Sequence, residues 1–592
     1  MKPIFAGYSR FPQFLLLIAM GAPLAWGAQA PRIKFDHVHT YAEVVSYLEE
    51  VVAAYPEITR LHTIGQSYLG KDLLVLELTN RETGDGLDKP GYWIDGNLHA
   101  GEVAGGEIAL HTIKTLTSGY GSDPKITSVL DDKVFYIMPK LNPDGSDHVI
   151  TRPDNLRSVV RPFDDDGDGQ KDEDPGEDLN GDGYITMMRV RDPNGALRTS
   201  PDDPRLMVSV TDGDDPTDWQ GEWTVYTEGV DSDGDGRFNE DGVGGIDINR
   251  NFPENWQPHP ISYQPGPYPL SEAESRAVVD FQLTLPNLTG LINYHMSGNV
   301  AVYPPSNQRV DPLSGDKVRA SFEDEKIYKR MGGKIADLVK DDVEVNVFKI
   351  HGASPASWHG SIWGTYVDWA YFQNGIFSWI FEFGVYPQTT AALPARPSES
   401  ERLRISDKMG GKLFVDWQPY DHPQLGEVEI GGFLRKIYMP DYGTYTSIGC
   451  LPGERYDRLL EAHTNWHLYL IEQSPLVRVT ETQVEALDGD LVRIRARIEN
   501  TGLLPSYVTQ QALDTGIAVP VRANIELHNA ALLSGSASME IGHLEGGSSR
   551  SGKRRAWVEW LAKTQAGNGT PMATVTAVSQ KGGTDSRNLE LR

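Results

Sequence analysis

The stretch His99-Ala-Gly-Glu102 lies between an apolar, strand-like run, Tyr92-Trp93-Ile94, and a helix-like run from Val103 to Leu116. The same alternation recurs around it. Tyr41, Val44, Val45, Leu48, Val51 and Val52 fall on one helical face, and the runs from Asp72 to Thr79 and from Val134 to Met138 read as buried strands. Asn142-Pro143-Asp144-Gly145 reads as a turn. Strands alternating with helices predict a largely parallel or mixed sheet covered on both faces, with any active site at the carboxyl ends of the strands. His99 and Glu102 stand at such an end, three residues apart, where they can converge on one cation. Imidazole nitrogen with carboxylate oxygen suits zinc, whose catalytic sites take three protein ligands and keep one position for water.

Three pieces follow downstream: Asp247-Ile248-Asn249-Arg250-Asn251-Phe252, then His295 within Ile292-Asn293-Tyr294-His295-Met296-Ser297, then Glu382 within Phe381-Glu382-Phe383-Gly384. Shorter matches accompany them: Tyr55-Pro56, Ile64-Gly65-Gln66-Ser67, Gly70-Lys71-Asp72-Leu73, the Asn142 to Gly145 stretch, and Asp368-Trp369-Ala370-Tyr371-Phe372-Gln373-Asn374-Gly375. In this order the chain resembles the zinc carboxypeptidases of the carboxypeptidase A type, from about Tyr41 to the 470s.

The resemblance implies an α/β/α sandwich around a mixed, eight-stranded sheet. It implies His99, Glu102 and His295 as zinc ligands, with Asp247 as the carboxylate that hydrogen-bonds the first histidine and fixes its tautomer. Glu382, in the apolar run that starts at Ile376, corresponds to the general base, taking a proton from the attacking water and passing it to the leaving amine. Asn249 and Arg250 correspond to the pair that grips the free α-carboxylate of a peptide, for which a planar guanidinium is suited. Arg157 stands where the family places the arginine that steadies the oxyanion, with Arg152 and Arg161 as rivals. Val367 aligns with the specificity position and points to apolar or aromatic C-terminal residues. The chain departs from the pattern at Gly360, where a substrate-capping tyrosine is expected. Tyr366, or the nearby Trp and His side chains, are the candidates to replace it.

Residues 162–245 break the alternation with Asp- and Gly-rich sequence, an insertion between two parts of the site. Asp164-Asp165-Asp166-Gly167-Asp168-Gly169 runs on to Asp172-Glu173-Asp174, and Asp231-Ser232-Asp233-Gly234-Asp235-Gly236 runs on to Asn239-Glu240-Asp241. Alternate acids can wrap oxygens around calcium while glycine permits the sharp turn. The expected calcium ligands are therefore Asp164, Asp166, Asp168, Asp231, Asp233 and Asp235. A third loop, Asp178-Leu179-Asn180-Gly181-Asp182-Gly183, adds Asp178, Asn180 and Asp182, although Arg189 stands where an EF-hand needs its bidentate glutamate.

Charge and composition narrow the setting. The formal charge of −29 makes nucleic acid an unlikely partner. Lys2 and Arg10 followed by the apolar run Phe14 to Met20 read as a signal peptide over residues 1–28, so a secreted or periplasmic protein is expected. No later segment is long and apolar enough to span a bilayer. With Cys450 as the single cysteine, no intramolecular disulfide can form. The catalytic domain is expected over residues 35–474, closing with a helix from Asp457 to Glu472. Residues 475–592 change to short alternating strands with Gly- and Ser-rich turns, a β-sandwich that could contact a surface or a partner. The leading function is zinc-dependent removal of the last residue from peptides or proteins with a free C-terminus. The alternatives are a zinc amidase or cell-wall peptide hydrolase on the same scaffold, and a non-catalytic, calcium-stabilised binding protein.

Overall fold

The computed structural model describes residues 31–165, 167–210, 221–296, 300–307, 309–310, 317–318, 320–342, 345–349, 362–383, 398–408, 410–411, 413–434, 437–439, 443–445, 454–548, 552–565 and 569–592. The signal-like stretch, Asp166, Gly360 with its Trp358 and His359 neighbours, Gly384 and Cys450 lie outside the described residues.

The largest sheet has eight strands: β1 (Thr59–Gln66), β2 (Asp72–Leu78), β3 (Gly91–Asp95), β4 (Val134–Met138), β5 (Leu288–His295), β6 (Val300–Tyr303), β7 (Asn346–Lys349) and β8 (Phe377–Glu382). Their order across the sheet is β1-β2-β4-β3-β5-β8-β6-β7. The central four, β4, β3, β5 and β8, are mutually parallel; β2 and β6 flank them antiparallel, β1 pairs antiparallel with β2, and β7 pairs parallel with β6. Every residue of β3, β4, β5 and β8 is buried, as expected of strands covered on both faces. This is the mixed sheet read from the sequence.

Two apolar cores flank it. One holds Leu48, Ile108, Leu116, Tyr328 and Trp466, from helices α1 (Tyr41–Ala54), α2 (Ala104–Gly119), α6 (Phe322–Val339) and α7 (Glu454–Glu472). Between α2 and α6 in the chain come α3 (Pro124–Asp132), α4 (Pro143–Thr151) and α5 (Ala273–Leu283). The other core, under α5, holds Trp93, Leu291, Val367 and Ile380. Alternate strand residues point to opposite faces, so Asp95, Asn293, His295 and Glu382 share the face of this second core. The turn expected at Asn142 is instead the start of α4. Asn142 caps it by accepting the Gly145 amide at 2.9 Å, and Pro143 sits in the first turn, where its missing N–H costs nothing.

The Asp-rich insertion carries strands that its composition conceals. Met187–Arg191, Trp223–Thr227, Leu197–Thr199 and Met207–Ser209 join the hairpin Phe414–His422 and Gly426–Phe433 in a six-stranded sheet. Arg189 explains why its loop lacks an EF-hand glutamate. Its guanidinium lies 4.4 Å from the Trp223 ring and 4.3 Å from the Trp417 ring, and its Nε donates to Glu429 at 2.6 Å. It belongs to a strand and ties the insertion to the hairpin.

Beyond α7, two four-stranded sheets face each other across a third core that includes Ile494, Ile498, Trp560 and Val575. Their strands include Val477–Ala486, Leu491–Asn500, Val521–His528, Arg555–Thr564 and Met572–Ser579. Gly583–Glu590 is a further strand whose polar sequence hides it, because it lies at the edge of its sheet. This sandwich docks at the foot of the large sheet, opposite the strands' carboxyl ends. The half-buried Lys581 amine donates to the Leu288 carbonyl at 2.8 Å, and Arg478 pairs with Asp132 at 2.5 Å. On its flank, buried Asp324 of α6 accepts the amides of Gln510 at 2.9 Å and Gln511 at 3.1 Å. Among the described residues, no helix is long and apolar enough to cross a membrane.

Candidate active site

The chain leaves β3 at Asp95 and turns through Gly96-Asn97 into the loop that bears His99 and Glu102. Asn97 takes a left-handed conformation (φ 59°), and its Nδ2 donates to the carbonyls of His99 and Ala100, both at 2.9 Å. The start of α2 packs directly on this turn. A Cβ on Gly96 would lie 2.2 Å from the Gly105 backbone, and one on Gly105 would lie 2.4 Å from the Tyr294 Cβ. Glycine is the only residue that permits this approach.

Three donor atoms converge here. Glu102 Oε2 lies 2.9 Å from His99 Nδ1 and 2.8 Å from His295 Nδ1, and the two Nδ1 atoms are 2.9 Å apart. Both histidines are buried. Two imidazole nitrogens and a carboxylate oxygen form a donor set that fits zinc. The far side of each ring is engaged. His99 Nε2 faces Asp247 Oδ1 at 3.0 Å, and His295 Nε2 faces Asn293 Oδ1 at 2.5 Å. Each ring thus has a fixed tautomer that turns Nδ1 toward the cluster.

Asn293 was not singled out from the sequence. It lies two residues before His295 on the same strand face, and it sits beside Asp95 in the register of β3 with β5. Asn293 Nδ2 donates to the Asp95 carboxylate, whose other oxygen accepts the Trp93 indole at 2.7 Å. Burial pushes Asp95 up to about 7 against these donors. The signal in the sequence was the i, i+2 spacing of Asn293 and His295. Its partner depended on strand order.

Asp247 is the hub of the site's charge. Besides His99 it accepts Arg157 Nε at 3.0 Å, lies 3.8 Å from Arg250, and caps its own turn through the Asn249 amide at 2.8 Å. Burial opposes its charge, but Arg157, Arg250 and His99 hold its carboxyl well below the usual range. For Glu102, burial is likewise outweighed by His99 and His295, and its carboxyl too is held low. Arg157 also reaches Glu102 Oε1 at 3.2 Å while 48% of its side chain stays exposed. Of its rivals, Arg161 is committed to Glu272 at 2.9 and 2.6 Å, and Arg152 is exposed.

Glu382 ends β8, in register with His295 on β5 and buried at 5% exposure. Its charge is felt at Arg157. Asn249 is buried and its side-chain oxygen accepts the Tyr366 amide at 2.9 Å, so what it can offer a ligand is its NH2. Arg250 donates to the Asn249 carbonyl at 2.8 Å. Val367 is fully buried in the second core. Tyr366 is fully buried too, stacked 4.5 Å from Phe252 and bonded to Gln282. A side chain held in this way cannot swing over a substrate, which removes Tyr366 as a replacement for the capping tyrosine.

The acid loops lie outside this cluster but run into it. Asp164 and Asp231 each fold their own loop, accepting the amides of Gly167 and Gly169 or of Gly234 and Gly236 at 2.6 to 3.1 Å. Asp178 does the same with Gly181 and Gly183, and Asn180 donates to Asp182 at 3.1 Å. In that third loop the amides of Leu179 and Thr186 close on buried Glu228, at 2.9 and 2.8 Å. Asp172 accepts the Gly244 amide at 3.2 Å, three residues before Asp247.

The family model for zinc carboxypeptidases matches residues 44–186 and 213–401, more than half of the chain. The chain belongs to the zinc carboxypeptidase family. A second model, for a domain of unknown function, matches residues 476–590. Among curated relatives, carboxypeptidase Z of Rattus norvegicus is 36% identical over 114 residues, covering 19% of this chain and 17% of that protein. A zinc carboxypeptidase of Saccharothrix mutabilis subsp. capreolus is 35% identical over 112 residues, 19% of this chain and 26% of its own length. Human carboxypeptidase D is 32% identical over 109 residues, 18% of this chain and 8% of that protein. The chain thus spans about a quarter or less of these relatives. Among solved structures, bovine thrombin-activatable fibrinolysis inhibitor in complex with tick carboxypeptidase inhibitor shares 18% identity at a TM-score of 0.40, covering 74% of this chain and 99% of that one. Carboxypeptidase A from Helicoverpa armigera shares 16% identity at a TM-score of 0.40, covering 65% and 73%.

Proposed function

We propose that this protein is a secreted, zinc-dependent carboxypeptidase that hydrolyses the C-terminal peptide bond of peptides or proteins. The observation that carries the reading is the convergence of His99 Nδ1, Glu102 Oε2 and His295 Nδ1, with Glu382 beside His295 and Arg157 anchored on Asp247. Zinc held by these three ligands would polarise a carbonyl and lower the pKa of water.

The chain's own residues supply the rest. Asp247 and Asn293 hold the imidazole tautomers. Glu382, at the end of an apolar strand, takes the proton of the attacking water and returns it to the leaving amine. Arg157 is pinned through Nε and half exposed, so it presents N–H donors to charge growing on the scissile carbonyl. Arg250 and the Asn249 NH2 receive the substrate's terminal carboxylate, which confines cleavage to the last bond. The run from Phe14 to Met20 behind Lys2 and Arg10 supports export.

The test uses two blocked peptides that differ only in a free or amidated C-terminus, assayed with and without a zinc chelator in excess calcium. Release of the last residue from the free acid alone, abolished by the chelator, is expected. Equal cleavage of both peptides would remove Asn249 and Arg250 as the carboxylate clamp and favour an amidase.

A further inference from the structure

The two acid repeats pack as halves of one unit. The Asp174 carboxylate, at the end of the first repeat, accepts the amides of Ser232 at 3.0 Å and Asn239 at 2.6 Å in the second. In return, the Asp174 amide donates to the Asp241 carbonyl at 3.1 Å. Asp164 and Asp231 accept amides within their own loops, as Asp168 does from Gln170 and Asp233 from Asp235, and carboxylate oxygens also face one another. One oxygen each from Asp168, Glu173 and Asp233 lie within 4.8 Å of one another across the two repeats, and so do oxygens of Asp231, Asp233 and Asp235.

What points to a ligand is the layer behind them. Asp241 is fully buried, and neither of its carboxylate oxygens accepts a hydrogen bond. Its neighbours are the Asp165 backbone and the carboxylate of Glu173. Glu173 and Glu240 each bury one oxygen without a partner as well, Glu240 against Asp174. Arg237, the arginine of the second repeat, stays 69% exposed and lies 3.7 Å from Asp235. Carboxylates stripped of water and set against each other are unfavourable unless a cation or a proton sits among them. A site offering only oxygens, from acids on flexible Gly-rich loops, suits a hard cation that takes six to eight ligands.

We propose that the two repeats form one composite site for calcium or a cation of its class. The ion is held between the loops by Asp168, Glu173 and Asp233 and backed by Asp241. The site is independent of the zinc cluster and of the proposed peptidase activity.

The test takes full-length protein stripped with EDTA, reloads it with one equivalent of zinc, and titrates calcium chloride by equilibrium dialysis and calorimetric melting. Magnesium chloride runs in parallel. At least one calcium per chain is expected, with Kd at or below about 1 mM and a preference over magnesium, and with a calcium-dependent rise in Tm. Asp241→Asn and Glu173→Gln should each weaken calcium binding about tenfold or more with zinc content unchanged. In calcium-free buffer they should melt no lower than the wild type, because a repelling charge has gone. A carboxylate with a merely structural role would give the opposite, a lower Tm without calcium. The proposal fails if the wild type binds no calcium up to about 10 mM, if both variants bind it undiminished, or if removing the charge unfolds the protein. Asp233→Asn, in a partly exposed position, is the second variant and should also lose affinity.

Discussion

His99 and His295 present Nδ1 to Glu102 because their Nε2 atoms are already taken, one by a carboxylate and one by a carboxamide. The two outer partners differ in kind. Asp247 shares its charge with two arginines, whereas Asn293 is neutral and leans on Asp95. Replacing Asn293 with alanine frees the His295 ring and removes one donor from the Asp95 carboxylate. Zinc affinity should fall about 10- to 100-fold, measured by competition with a chromogenic chelator. Unchanged affinity would mean that backbone packing alone orients the ring. Glu382→Gln keeps the shape and removes the base. Its kcat should fall about 10²- to 10⁴-fold at unchanged zinc content, measured by steady-state kinetics with metal analysis.

At the scale of elements, α2 carries the weight. Its first turn is pressed onto Gly96, and its buried Glu107 reaches forward to the segment before α1. Glu107 accepts the His39 amide at 3.0 Å and pairs with His39 Nδ1 at 2.7 Å. Burial disfavours the imidazolium, but Glu107 outweighs it and holds His39 above its ordinary 6.5. The folded state therefore binds this proton more tightly than the unfolded chain does. The pair's stabilisation is complete below pH 6.5 and is lost as pH rises through the raised folded value. The Tm difference between wild type and His39→Gln should be largest near pH 6 and shrink in alkaline buffer. A difference that does not change with pH would show that the imidazolium contributes nothing.

On the scale of the whole molecule, the sandwich is part of the large sheet's support. Leu504 and Val508 belong to the same core as α2 and α7. Thr509 Oγ1 donates to the Gly375 carbonyl at 2.7 Å, just ahead of β8. Burial brings Lys581 down to about 8, a cost accepted at the Leu288 contact. Removing residues 475–592 would leave those carbonyls without donors and open the core. The truncated chain should melt lower by roughly 5 °C or more, and the full-length protein should melt in one calorimetric transition. Two transitions with an unchanged first one would make the sandwich an independent appendage. The insertion plays a similar part on the other side, because its acid loops meet the backbone at Gly244, shortly before Asp247.

The sequence by itself determined the layered α/β plan and the strands β2, β3 and β4. It also marked His99, Glu102, Asp247, His295 and Glu382. These signals are local: apolar runs bounded by turns, and reactive side chains placed where a strand ends. It set out the strands of the sandwich for the same reason, since alternation at period 2 survives in any register. Only the tertiary structure decided the rest. Asn293 meets Asp95 because β3 and β5 are neighbours, although 198 residues separate the pair. The strands Met187–Arg191 and Trp223–Thr227 were hidden among Asp-Gly loops, and their pairing with a hairpin after β8 is long-range. Arg157 is distinguished from Arg152 and Arg161 by which carboxylates surround it, and Tyr366 is excluded as a cap by burial. The two acid repeats read alike in one dimension, and folding alone buries Asp241 against Glu173. Burial and the company of charges depend on which distant segments pack together, and no window of sequence contains that information.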